Sequence, residues 1–223
     1  MNVFVTGANR GIGLGLARHY LGRGDEVWAC YRYEMGGLEA IEDECLHRVM
    51  WDVREEAPRS CGVLPEGIDL LINNAGIYGP KDGGQALERV SAEAMQEVFD
   101  VDCIGALRVV QYLLPRLAKA RGIIANLSSK MGSSADNSSG GCYAYRAAKA
   151  ALVIVSKSMA VDLAPRGVRV ITLHPGWVRT DMTEHSGLID VEEAVRGLAD
   201  VIERIASYPP GAFVAFDGKE VPY

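Results

Sequence analysis

The chain has 223 residues, 48% hydrophobic and 23% charged, and its 23 Lys and Arg against 29 Asp and Glu leave a formal charge of −6. That is length enough for one large domain with a sizeable core. An acidic balance without a basic run argues against nucleic acid or an anionic membrane as partner, and no apolar run reaches transmembrane length. Cys30, Cys45, Cys61, Cys103 and Cys142 form no CxxC pair, so neither a disulfide framework nor a metal site is expected, and a reducing cytoplasm fits best. An apolar run that opens at Val3 leaves no room for a signal peptide, which points the same way.

The hydrophobic period predicts a strand at Asn2–Thr6, a Gly-rich turn, and a helix over Gly11–Gly22. A second strand follows at Glu26–Tyr31, then a short polar helix and a third strand around Arg48–Trp51. Residues 68–76, "IDLLINNAG", form a near-continuous apolar run, as expected of a strand covered on both faces. A long amphipathic helix is predicted over Ala92–Leu117, then the strand "GIIANLSS" (122–129) and a helix over Cys142–Leu163. The strand "VRVITLHPG" (168–176), a helix over about 191–206 and the strand "GAFVAFDG" (211–218) complete the chain. Strands alternating with helices imply βαβ units. The fold class is therefore α/β: one Rossmann-type, doubly wound parallel sheet of about seven strands, clothed by helices on both faces, with residues 1–223 as a single dinucleotide-binding and catalytic domain.

"TGANRGIG" joins the first strand to the first helix. Glycines there let the backbone turn sharply and approach a pyrophosphate, whose charge meets free N–H groups at the helix start. The spacing is G-x-x-x-G-x-G, not the G-x-G-x-x-G of the common fingerprint. The second strand closes with "CYRYE", so Arg32 stands where an NAD site carries an acid, and Arg10 lies inside the turn. Two guanidiniums converging on a 2′-phosphate favour NADP over NAD; Glu34, nearby, keeps NAD as the second choice.

In "YAYRAAK" (143–149) the helical spacing sets Tyr145 over Lys149, with Cβ atoms roughly 5–6 Å apart, and Tyr143 over Ala147. A tyrosine works as a general acid or base when its pKa approaches the working pH. A drop of ~3 units corresponds to about 4 kcal/mol, which one positive charge roughly 4 Å away supplies at an effective dielectric near 20. Lys149 is thus expected to lower the pKa of Tyr145.

"TGANRGIG", Asp52-Val53, "NNAG" (73–76), "NLSS" (126–129), Tyr145-x-x-x-Lys149 and "HPGWVRTDM" (174–182) occur in order. On these motifs the chain resembles the short-chain dehydrogenase/reductase family over essentially its whole length. "GSSADNSSGGCYAYRAAK" and the closing "FDGKEVPY" resemble its C-factor-like and sniffer-type carbonyl reductases. The resemblance implies a cofactor site of Gly7, Asn9, Arg10, Gly11, Ile12 and Gly13 at the pyrophosphate. Asp52 and Val53 would flank the adenine, with the Asp52 carboxylate accepting from its amine. Asn74, Ala75 and Gly76 would face the adenosine ribose, and Pro175, Gly176, Val178 and Thr180 the nicotinamide. Tyr145 is implied as general acid/base, Lys149 as its electrostatic partner and ribose ligand, and Ser129 as the group that positions the substrate oxygen, with Ser128 on the packing side. The family has asparagine where this chain has Asp102, a departure that would hold Lys149 charged and partly cancel its field at Tyr145. No metal is implied.

The short segment from Trp177 to Ile189 implies an open substrate pocket, with Trp177, Met182 and Leu188 as apolar walls, for small carbonyl or alcohol compounds. Trp51, the histidines and the cysteines are expected in packing or surface roles. A homodimer or homotetramer follows from the resemblance. Two other readings stay open. One is a C-factor-like signalling protein that binds the dinucleotide with little turnover; the other is a nucleotide-sugar epimerase or dehydratase, which would carry a further C-terminal domain.

Overall fold

The computed structural model describes residues 1–223. Its strands are β1 (Asn2–Val5), β2 (Glu26–Tyr31), β3 (Leu46–Met50), β4 (Leu70–Asn73), β5 (Ile123–Leu127), β6 (Arg169–His174) and β7 (Phe213–Ala215). They form one 7-stranded sheet in the order β3-β2-β1-β4-β5-β6-β7, parallel at every pairing. The helices are α1 (Gly11–Gly22), α2 (Ala92–Phe99), α3 (Gly105–Ala120), α4 (Tyr143–Leu163) and α5 (Val191–Glu203).

Alternation along the strands builds two cores. Val3, Val5, Val27, Ala29 and Ile72 face α1 and α5, while Phe4, Trp28, Leu71 and Ile124 face α3 and α4. A strand with both faces covered needs apolar residues at every position, and all of β4 is buried. The strand order reverses direction between β1 and β4, and there the C-terminal strand ends open into a crevice.

Two elements depart from the sequence expectation. The short polar helix after β2 is only a 3₁₀ turn at Gly36–Leu38, since its Gly-Gly start gives a helix little to propagate. The long helix expected over 92–117 is broken by a π-helical turn at Asp100–Ile104, and its second half runs on to Ala120. Such turns often mark functional positions, and this one carries Asp102 into the interior. No helix is long and apolar enough to cross a membrane.

Candidate active site

Two cavities adjoin along the C-terminal ends of the strands. One, of about 710 Å³, includes the Gly turn, Arg32, Asp52, Val53 and Asn74–Gly76 in its lining. The other, of about 980 Å³, includes Ser129, Tyr145, Pro175, Gly176 and Val178. Ile12, Thr180 and Met182 line both, so the two form one cleft.

At the first cavity the Gly turn is held from β4. Asn74 Nδ2 donates to the carbonyls of Thr6 at 2.9 Å and Gly7 at 3.0 Å, and the Asn74 N–H donates to Thr6 Oγ1 at 3.0 Å. Gly13 is a packing residue here: a Cβ would lie 2.2 Å from the Gly7 carbonyl oxygen, so α1 could not start this close to the turn with any side chain there. Arg10 precedes α1 and supplies no side-chain cap, which leaves the first N–H groups of α1 pointing into the cleft. Gly7, Asn9, Gly11 and Ile12 line the cavity around them.

Asp52, Arg10 and Arg32 all line this cavity, and each already has a partner within the chain. Asp52 is buried, and Arg54 takes both of its carboxylate oxygens, donating from Nε at 3.0 Å to Oδ1 and from Nη2 at 2.5 Å to Oδ2. The Arg54 hydrogen bonds hold the Asp52 carboxyl below the usual range, and the carboxylate is already committed before any adenine amine could approach it. Arg10 is paired to Asp181 at 3.3 Å. Arg32 lies over the Tyr33 ring, 4.7 Å from its centroid. Both arginines line the cavity.

At the second cavity β5 ends just short of Ser129, which caps a 3₁₀ turn and accepts from the Met131 N–H at 3.2 Å. Ser128 turns to the packing side and donates to the Lys149 carbonyl at 2.8 Å. Tyr145 and Lys149 share the buried face of α4, with Nζ 5.7 Å from the phenol ring centroid, whereas Tyr143 is exposed. Lys149 Nζ donates to the Leu127 carbonyl at 3.1 Å and lies 3.1 Å from Asp102 Oδ2. The latter is a charge contact more than a directed hydrogen bond, since Oδ2 has no donor in good alignment. Asp102 Oδ1 accepts from the Ile77 N–H at 2.8 Å. A Cβ on Gly76 would lie 3.2 Å from Asp102 and 3.3 Å from Lys149, so that glycine leaves room for the pair.

Burial and the ion pair set the electrostatics. Burial pushes the Tyr145 phenol up; Lys149 pulls it down, Asp102 pushes it up again and Ser129 pulls it down by hydrogen bonding, and the net direction is up. Lys149 lowers the phenol, as its helical spacing leads one to expect, and burial of the ring outweighs that pull. Burial pulls Lys149 down, but Asp102 and Tyr145 together push it up by more, and the net direction favours the charged ammonium.

The apolar walls include Trp177 and Met182. Leu188 is 74% exposed and forms no part of them. Arg179 Nη1 donates to the Leu188 carbonyl at 3.0 Å. His174, at the cavity edge, accepts from the Lys130 N–H through Nδ1 at 3.3 Å, and burial lowers its pKa to about 4. Sequence reasoning passed over Arg54, Tyr78 and Gln85. Tyr78 packs its ring 5.0 Å from that of Tyr145. Only the pairing of segments far apart in the chain brings Tyr78 and Gln85 beside Tyr145, so no local pattern announces them, whereas Arg54 reaches Asp52 from two residues away. No group of three or more His, Cys, Asp or Glu is placed to hold a metal.

The arrangement offers a proton donor, a buried cation and a hydroxyl beside a cleft built for a dinucleotide. The short chain dehydrogenase family model matches residues 1–188. C-signal of Myxococcus xanthus is 41% identical over 157 residues, 70% of this chain and 93% of that protein. The carbonyl reductase Sniffer of D. melanogaster superimposes with a TM-score of 0.89 at 28% identity, over 100% of this chain and 99% of that one. The NADPH-bound carbonyl reductase from chicken fatty liver does so at 0.87 and 30% identity, over 100% and 98%.

Proposed function

The chain belongs to the short-chain dehydrogenase family of oxidoreductases, and from that premise we propose that it is an NADP(H)-dependent carbonyl reductase acting through Ser129, Tyr145 and Lys149. The observation that carries the reading is that Ser129, at the end of β5, and Tyr145, on α4, line the second cavity together, with Lys149 buried beside Tyr145 on the same helix face. The Gly cradle fits a pyrophosphate: Gly7, Asn9, Gly11 and Ile12 would hold it against the start of α1, and Arg10 and Arg32 would hold a 2′-phosphate. Thr180 and Val178, with Pro175 and Gly176, would border the nicotinamide, and Lys149 would bind its ribose. NADPH is also the cofactor in the chicken carbonyl reductase.

Bound NADPH supplies the hydride. Tyr145 donates the phenolic proton to the carbonyl oxygen, and Ser129 holds that oxygen by hydrogen bonding from the other side. Burial raises the phenol pKa, so Tyr145 carries its proton before reaction, and the pull of Lys149 is what eases the loss of that proton. Lys149, kept charged by Asp102, stabilises the phenolate left behind. Alcohol oxidation uses the same groups in reverse. In this reading residues 1–223 act as one catalytic unit, cytoplasmic and assembled as a homodimer or homotetramer.

The test is Tyr145→Phe, assayed with benzaldehyde and diacetyl. The rate is expected to fall by about 10²–10⁴-fold, the usual worth of general acid catalysis, while NADPH still quenches the fluorescence of Trp51 and Trp177, which line the cleft. A variant as fast as the parent would end the proposal. The identity to C-signal supports a second reading, a signalling protein that binds the dinucleotide with little turnover; turnover of every candidate carbonyl at background rate would favour it.

A further inference from the structure

Helix α4, which carries Tyr145 and Lys149, begins without a cap of its own. Its N-cap residue, Cys142, sits in the left-handed region at φ 51 and makes no side-chain cap bond. The first N–H groups of a helix have no partner within it, and buried ones need an acceptor. Here the acceptors come from a different loop. The Tyr145 N–H donates to Gln85 Oε1 at 3.0 Å, and the Tyr143 N–H donates to the Gln85 main-chain carbonyl at 3.4 Å.

Gln85 is only 4% exposed, and the rest of its amide is committed as well. Nε2 donates to the Tyr78 carbonyl at 2.7 Å and to the Pro80 carbonyl at 3.2 Å. The amide orientation is thereby decided: reversing it would set the oxygen against two carbonyls and the NH₂ against an N–H. The loop fixed in this way carries Tyr78, whose ring packs on Tyr145 and whose hydroxyl meets Cys142 Sγ at 2.9 Å.

We propose that Gln85 is the positioning residue of the active site: it caps α4 from outside the helix and ties the Tyr78 wall of the substrate cavity to the main chain of Tyr145. The inference rests on the reading of Tyr145 as the proton donor. Two side chains that line one substrate cavity, Tyr145 and Tyr78, are referred to a single amide. A small misplacement of a reacting group can cost on the order of 10²-fold in rate, so the amide matters beyond the stability of a cap.

The test compares the parent with Gln85→Met, which keeps the volume and removes every side-chain bond, and Gln85→Glu, which keeps the oxygen facing the Tyr145 N–H. Reduction of benzaldehyde is followed, with NADPH binding read from tryptophan fluorescence. Gln85→Met is expected to lower kcat by about tenfold to a hundredfold with NADPH affinity within twofold of the parent, because Gln85 lies outside the dinucleotide cavity. In Gln85→Glu the helix bond survives and the loop bonds are lost, so KM is expected to rise by more than kcat falls. Parent-like kcat and KM in Gln85→Met overturn the proposal. So does equal loss of kcat and NADPH affinity, which would signal general disorder. If Gln85→Met does not fold, Gln85→Glu decides alone, and parent-like KM in it overturns the proposal. A parent-like rate in Tyr145→Phe would instead remove the reading beneath it, whatever the Gln85 variants do.

Discussion

The two ends of the cleft hold similar charges in opposite settings. At the catalytic end, Lys149 and Asp102 have side chains 6% and 0% exposed. At the dinucleotide end, Arg10 and Asp181 pair at 70% and 59% exposure. The exposed pair is screened by water and is worth little to the fold, so its members can change partners at small cost. The buried pair has no such freedom, because removing either charge leaves the other unpaired away from water. In the proposed function the first setting suits recognition of a phosphate and the second suits proton chemistry.

Removing one member of the buried pair breaks this contrast most severely. Lys149→Met leaves Asp102 buried and unpaired, and a loss of about 3–5 kcal/mol of stability is expected in chemical denaturation. Adding Asp102→Asn should restore much of the stability and none of the activity, whereas Asp181→Asn should change stability by less than about 1 kcal/mol.

Next in size is the half-buried imidazole of His174 at the cavity edge. Its folded pKa of about 4 lies below the ordinary 6.5, so the unfolded chain binds more protons between these values. Stability therefore rises with pH across the window and is lost as pH falls through it. His174→Gln should flatten that loss, by up to about 3 kcal/mol at 1.36 kcal/mol per unit, in urea titrations between pH 4 and 6.5.

At the exposed end, Arg32→Asp should move the ratio of NADPH to NADH affinity by about tenfold or more toward NADH, the scale of one charge-assisted phosphate contact. Unchanged preference would leave Arg10 as the discriminating residue. The smallest effect belongs to Asp102→Asn. Asp102 pushes the Tyr145 phenol up, so its neutralisation lowers the phenol pKa and moves the acid limb of alcohol oxidation to lower pH. An unmoved limb would deny Asp102 an electrostatic role.

How much could be read in advance follows the same division. The Gly turn, the alternating strands and the Tyr145–Lys149 spacing are local patterns, and each appears where its period predicts. The committed state of Asp52 was out of reach, because Arg54 is one more surface arginine until it folds back over the carboxylate. The π-helical turn was hidden for another reason: a helical period continues through it, and the extra residue shows only as a shift of face.

By itself, then, the order of residues determined the parallel α/β sheet and the face of α4 that bears Tyr145 over Lys149, because those depend on periods of two and 3.6 residues and on glycine's access to positive φ. Tertiary structure alone decided the protonation balance and the placement of α4. Both depend on desolvation and on partners far apart in the chain, Asp102 beside Lys149 and Gln85 beneath Tyr145, and no local pattern encodes how much water a folded neighbourhood excludes.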